Sequence, residues 1–157
     1  MKAITAATLA LALGISAGHA QAAGKYLSWE GKWTLNKDKT HYPQQIPVTA
    51  NDIDVTKDDG DTLQYSGAVV VGGKPMSASF DGAYDGKPHD AGGGQTLTYH
   101  HVSKTTFASV RKGADGTVAE RSTCKLSTDG KLFTCHIELP QAGKKAIVFD
   151  EYFDKAS

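Results

Sequence analysis

From Met76 to Tyr84 the chain alternates without a break: Met76, Ala78, Phe80, Gly82 and Tyr84 fall on one side, Ser77, Ser79, Asp81 and Asp85 on the other. Successive side chains of an extended backbone point to opposite faces, so this period of two predicts a strand with one buried and one wet face. It excludes an amphipathic helix, whose period is about 3.6 residues. The same alternation recurs along the chain. Trp33 and Leu35 alternate with Lys32, Thr34 and Asn36, and Ile53 and Val55 alternate with Asp52, Asp54 and Thr56. Leu63, Tyr65, Gly67, Val69 and Val71 share a face, and further strands are expected over 95–101, 105–112, 117–126, 132–139 and 145–153. Turn chemistry separates them: Asp58-Asp59-Gly60-Asp61, Gly72-Gly73-Lys74-Pro75, and the Gly-, Pro- and Asp-rich loop that follows Tyr84. Short links favour antiparallel neighbours, which makes the chain a meander.

About nine such strands, each with one apolar face, cannot stay a flat open sheet, because two long edges would remain unpaired. Closure removes the edges, and the expectation is an all-β fold: a single up-and-down antiparallel β-barrel of about 8–10 strands. A barrel of that size is either filled by its own side chains or holds one small ligand.

The first 22 residues stand apart. Lys2, an apolar run from Ala3 to Ile15, and small residues ending Ala20-Gln21-Ala22 have the three-part layout of a secretory signal peptide, with cleavage expected after Ala22 or after Ala20. The apolar run is too short for a membrane anchor, since about 18 apolar residues are needed to span a bilayer. The expected mature domain is 23–157, in the periplasm or secreted, with no integral membrane segment after signal removal. Loss of Lys2 from seventeen basic residues leaves sixteen against seventeen acidic. That balance gives no electrostatic case for a nucleic acid or an anionic membrane as partner.

Gly31-Lys32-Trp33, at the start of the first strand, resembles the lipocalin G-x-W signature, in which the Trp plugs the closed end of the barrel beneath an arginine from a late strand. The resemblance implies a barrel-closing role for Trp33, with Arg111 and Arg121 as candidates for the covering cation. No T-D-Y motif accompanies it. The mature chain as a whole is similar to small exported bacterial proteins with lipocalin-like barrels. The similarity lies in Trp33-Thr34-Leu35-Asn36-Lys37-Asp38-Lys39, Tyr84-Asp85-Gly86-Lys87, Ser127-Thr128-Asp129-Gly130-Lys131 and the terminal Phe149-Asp150-Glu151-Tyr152-Phe153-Asp154-Lys155. It implies a fold and a compartment and leaves activity open.

The only two cysteines, Cys124 and Cys135, are mirrored about Asp129-Gly130. A two-residue type I′ turn there would set Cys124 opposite Cys135, Leu126 opposite Phe133 and Arg121 opposite Glu138. That register puts an apolar pair on one face and an opposite-charge pair on the other. A three-residue loop with Gly130 in a bulge would instead place Cys124 opposite Thr134. In the first register, which the pattern favours, a disulfide should form in an oxidising compartment, at a hydrogen-bonded pair counted outward from the turn. A redox pair and metal ligation are the competing uses of the cysteines, the latter with Cys135-His136 and His100-His101 as donors. Adjacent strand residues point apart, and no C-x-x-C or H-x-x-x-H spacing occurs, so no metal site and no cofactor are expected.

No nucleophile elbow or nucleotide loop is present, and Gly92-Gly93-Gly94 precedes a strand rather than a helix, so an enzyme is not expected. The expected function is noncovalent binding of a small apolar or amphipathic molecule inside the barrel. Tyr65, Met76, Phe80, Tyr99, Phe107, Ile137 and Phe149 are the expected lining, with His101 as a polar contact. The alternative is a filled barrel that acts as a structural or protein-interaction module. Lys144-Lys145 reads as a solvated turn.

Overall fold

The computed structural model describes residues 25–156. The expected leader, 1–22, lies outside them. Ten antiparallel strands follow one another: β1 (Gly31–Leu35), β2 (Val48–Asp58), β3 (Thr62–Val71), β4 (Lys74–Ala83), β5 (His89–Asp90), β6 (Thr96–Ser103), β7 (Thr106–Lys112), β8 (Val118–Leu126), β9 (Leu132–Gln141) and β10 (Lys144–Lys155). They form one sheet in the order β4-β3-β2-β1-β10-β9-β8-β7-β6-β5, and it curls into a nearly closed up-and-down barrel. The all-β barrel read from the alternation is the fold. Only β5, two residues inside the loop after Tyr84, is an addition.

The first and last strands pair, with Leu35 opposite Phe153 and Trp33 opposite Lys155. Closure is incomplete between β4 and β6, on either side of that long loop. There an isolated bridge joins Asp85 to His100, and Gly86 N donates to Tyr99 O at 3.0 Å. Rings take over where the ladder stops: Phe80 of β4 packs on Tyr99 of β6 at 4.7 Å between centroids, and Tyr84 on His101 at 4.0 Å. Gly82 makes room for them, because a Cβ there would lie 2.5 Å from Phe80 Cζ and 2.9 Å from His89 Cγ.

One end is plugged by aromatic residues. Trp33 and Phe153 are each 1% exposed, and Phe133 stacks on Phe153 at 4.4 Å and meets Trp33 edge-on at 4.8 Å. Trp29, from the segment ahead of β1, packs against Phe107 and Phe133, and its carbonyl accepts a hydrogen bond from Trp33 Nε1 at 2.8 Å. The cation over Trp33 is Lys155, at 5.2 Å, and neither of the expected arginines. Arg111 lines the barrel interior, and Arg121 is exposed opposite Glu138. Gly31 is the reason Lys155 fits: a Cβ at its φ of 125° would sit 2.6 Å from Lys155 Cε.

Asp58 illustrates how a bulge overrides alternation. Counting from Asp52 and Asp54 it should be wet, yet the β2–β3 register shifts between Val55 and Lys57, which sets Asp58 opposite inward Leu63 and buries it. Its carboxylate accepts from Trp29 N at 2.7 Å and so ties the plug to β2. Burial pushes its pKa up, against the pull of the Trp29 and Gly60 amides.

Candidate functional site

Above the plug the barrel encloses a cavity of about 350 Å³. Its wall is mostly apolar, from Ile53 and Val55 of β2, Tyr65 and Val69 of β3, Phe107 of β7, Ile137 and Leu139 of β9 and Phe149 of β10. These are in-phase residues of strands whose other faces are wet, so the same alternation that closes the barrel also lines it. Of the expected lining, Tyr65, Tyr99, Phe107, Ile137 and Phe149 reach the cavity. Phe80 is buried behind them against Tyr65 and Tyr99. His101 is at the plug, stacked on Tyr26 at 3.4 Å with Nε2 3.0 Å from Gly60 O, and burial lowers its pKa.

Met76 corrects the expectation. It has the right parity but is 58% exposed, because the first half of β4 is a free edge that runs past the barrel mouth. Ala78, two residues nearer the seam, is exposed and lines the cavity, so it stands at the entrance.

A polar band interrupts the apolar wall. Ser109 and Ser122 face each other across β7 and β8 at 2.7 Å, and the Tyr65 and Tyr99 hydroxyls lie 3.0 Å apart. Arg111 and Glu120 are cross-strand partners on the same two strands, at 3.8 Å between Nε and Oε2. Glu151 of β10 is 9% exposed, and Tyr42 donates to its Oε1 at 2.6 Å. Tyr42 arrives on the loop between β1 and β2. That loop is held to β10 by Thr40, whose Oγ1 accepts from Tyr152 N at 3.0 Å, and by Tyr42 packing on Phe149 at 5.4 Å. Burial raises the pKa of Glu151, and the Glu120 charge adds to it, against the Tyr42 hydrogen bond and the nearby Asn51 amide. Burial raises that of Glu120 as well, against the pull of Arg111.

Tyr65 and Tyr99 belong to the expected lining; of the charged groups in the band, sequence reasoning assigned a role to Arg111 alone, as a cover for Trp33. A signal was present: Glu151 is in phase with Phe149 and Phe153, Glu120 with Cys124 and Leu126, and Arg111 with Phe107. A charge in phase with a buried face must line a cavity or find a partner.

Cys124 and Cys135 are disulfide-bonded, and both line the cavity. The register is the expected one, with Cys124 opposite Cys135, Leu126 opposite Phe133 and Arg121 opposite Glu138. The turn is different. Asp129 does not take the positive φ of a type I′ turn; only Gly130 does, at 68°, and Ser127 N donates to Leu132 O, which makes a four-residue loop. The hydrogen-bonding phase therefore flips. Leu126 N points away from β9, to Thr105 O, and Cys124, two residues earlier, shares that direction. The cysteines thus occupy a non-hydrogen-bonded pair, consistent with their Cα separation of 4.0 Å. A disulfide suits an oxidising, periplasmic or extracellular setting.

Among the described residues no group of three or more His, Cys, Asp or Glu side chains converges as a metal site, and no helix is long and apolar enough to cross a membrane. The architecture and cavity define a class, a small β-barrel with an apolar chamber and a polar band. No known protein family matches the sequence, and no curated protein is significantly similar to it.

Proposed function

We propose that this protein holds a small apolar or amphipathic molecule noncovalently inside its barrel, as an exported carrier of lipocalin-like type. The observation that supports it is the cavity: about 350 Å³ of space behind an apolar wall, where a packed interior leaves few voids larger than a water molecule. That volume is in the range of small-molecule pockets, and the wall has the usual composition, apolar with a few placed polar groups. The disulfide and the expected leader over 1–22 support a periplasmic or secreted location.

Ala78→Phe tests the proposal. The side chain at the mouth enters space rather than a packed core, so the variant should lose less than about 1 kcal/mol of stability, where overpacking a filled interior costs about 1–3 kcal/mol. Wild type should enhance the fluorescence of the neutral probe N-phenyl-1-naphthylamine, and Ala78→Phe should not. A wild type that takes up no probe, together with a strongly destabilised variant, would instead indicate a filled barrel acting through its outer surface.

A further inference from the structure

We infer that the cavity selects amphiphiles with a cationic head, an ammonium or related group on an apolar tail, and discriminates against carboxylates. This rests on the binding function just proposed and names the chemistry of its ligand.

Charge inside the chamber points to this head group. One basic and two acidic side chains line it: Arg111, Glu120 and Glu151. Arg111 pairs with Glu120, at 3.8 Å. Glu151 is left as the surplus. It is among the most buried polar residues of the barrel, and among the described residues no lysine, arginine or histidine nitrogen lies within 4.0 Å of its oxygens. Its help is neutral, from the Tyr42 hydroxyl at 2.6 Å and the neighbouring Asn51 amide. A buried carboxylate without a counter-charge is costly, and its usual remedies are protonation or a cation.

The wall turns that carboxyl toward the chamber itself. Glu151 sits between Phe149 and Phe153 on the inward face of β10, opposite Cys135, so its carboxyl borders the space that a ligand would fill. An ammonium head there meets a charge-assisted acceptor at Glu151, with Glu120 lining the same chamber, while the tail lies against Phe107, Ile137 and Phe149. A carboxylate head would bring a third negative charge into a chamber with one arginine, already engaged. A neutral alcohol would gain a hydrogen bond and no charge compensation, so it ranks between the two.

The experiment compares three ligands with one tail: dodecylammonium, dodecanol and dodecanoate, each titrated calorimetrically into wild type at neutral pH, below the concentration at which it forms micelles. Dodecylammonium should bind at least about tenfold more tightly than dodecanoate, with dodecanol between. In Glu151→Gln that ratio should collapse to within about threefold. Equal or stronger binding of dodecanoate to wild type would overturn the cationic preference and leave the pocket standing. Binding of none of the three would overturn both. A ratio that survives intact in folded Glu151→Gln would also overturn the assignment. The wild-type ranking needs no variant, so the inference is decided even if Glu151→Gln does not fold.

Discussion

The wall of β8, β9 and β10 and the wall of β3 and β4 follow the same alternating pattern, and the barrel treats them differently. On β8 the inward residues Ser122, Cys124 and Leu126 are all buried. On β4 the inward residues run from exposed Met76 and Ala78 to Phe80 at 3% exposure. The difference is neighbours. β8 is paired with β7 over 118–125 and with β9 over 121–126 and is stapled to β9, whereas β4 has β3 on one side and is bridged through the backbone to β6 only beyond its C-terminal end, at Asp85 and His100. Alternation therefore decides which face of a strand is inside, and pairing on both edges decides whether that inside is closed.

The sharpest way to break the closed side is at the plug. Trp33→Ala removes a side chain that is 1% exposed and packed on Phe133, and should cost about 3–5 kcal/mol in urea unfolding. Loss of under about 1 kcal/mol would mean that the plug is not part of the cooperative core. Smaller is the staple. Replacing Cys124 and Cys135 together by Ala should cost about 1–3 kcal/mol, since the bond closes only a short loop within a hairpin. Thermal melts with and without reductant check it: reductant should lower the wild-type transition and leave the variant unmoved.

Smaller again is Glu151, on the stapled wall. Its folded pKa lies above the unfolded value, because burial and the Glu120 charge both favour the neutral form. Between the two values the native state binds more protons than the unfolded state, so this group lowers stability as pH rises through that window, and the loss is complete above the folded pKa. Glu151→Gln should therefore gain on wild type from about pH 4.3, the ordinary value for Glu, toward neutrality. The melting temperatures of the two proteins, compared pH by pH, isolate this group from Asp58 and Glu120, whose pKa values burial also raises. A difference that shrinks with rising pH would refute the sign.

Most of the architecture was legible because it depends on period and turn chemistry. The strands from β1 to β10 fall where alternation puts them, apart from β5, and the β8–β9 register follows from the mirrored cysteines. What was hidden depends on other parts of the chain. The hydrogen-bonding phase at Cys124 turned on the φ of Asp129, a property that the Asp-Gly dipeptide leaves open. Burial of Asp58 required a bulge, and the engagement of Glu151 required a tyrosine from a loop more than a hundred residues away. The open seam was indicated only by the length of the loop after Tyr84, and without its neighbours the inward parity of Met76 was mistaken for burial.

The smallest expected effect sharpens this contrast on a single strand. Met76 and Phe80 have the same parity on β4, two inward positions apart, and differ in what lies beyond the strand's free edge. Phe80 meets Tyr65, Tyr99 and His89, whereas Met76 is opposite Val69 at the mouth and 58% exposed. Met76→Ser removes a side chain that already contacts mostly water, so it should change stability by no more than about 0.5 kcal/mol, the usual range for surface substitutions. Phe80→Ala should cost about 3–5 kcal/mol. Both are read from urea midpoints at constant m-value, which keeps the comparison to native-state packing. A cost above about 2 kcal/mol for Met76→Ser would show that the first half of β4 is covered in solution, and the difference between the two walls would then lie in an assembly rather than in the isolated barrel.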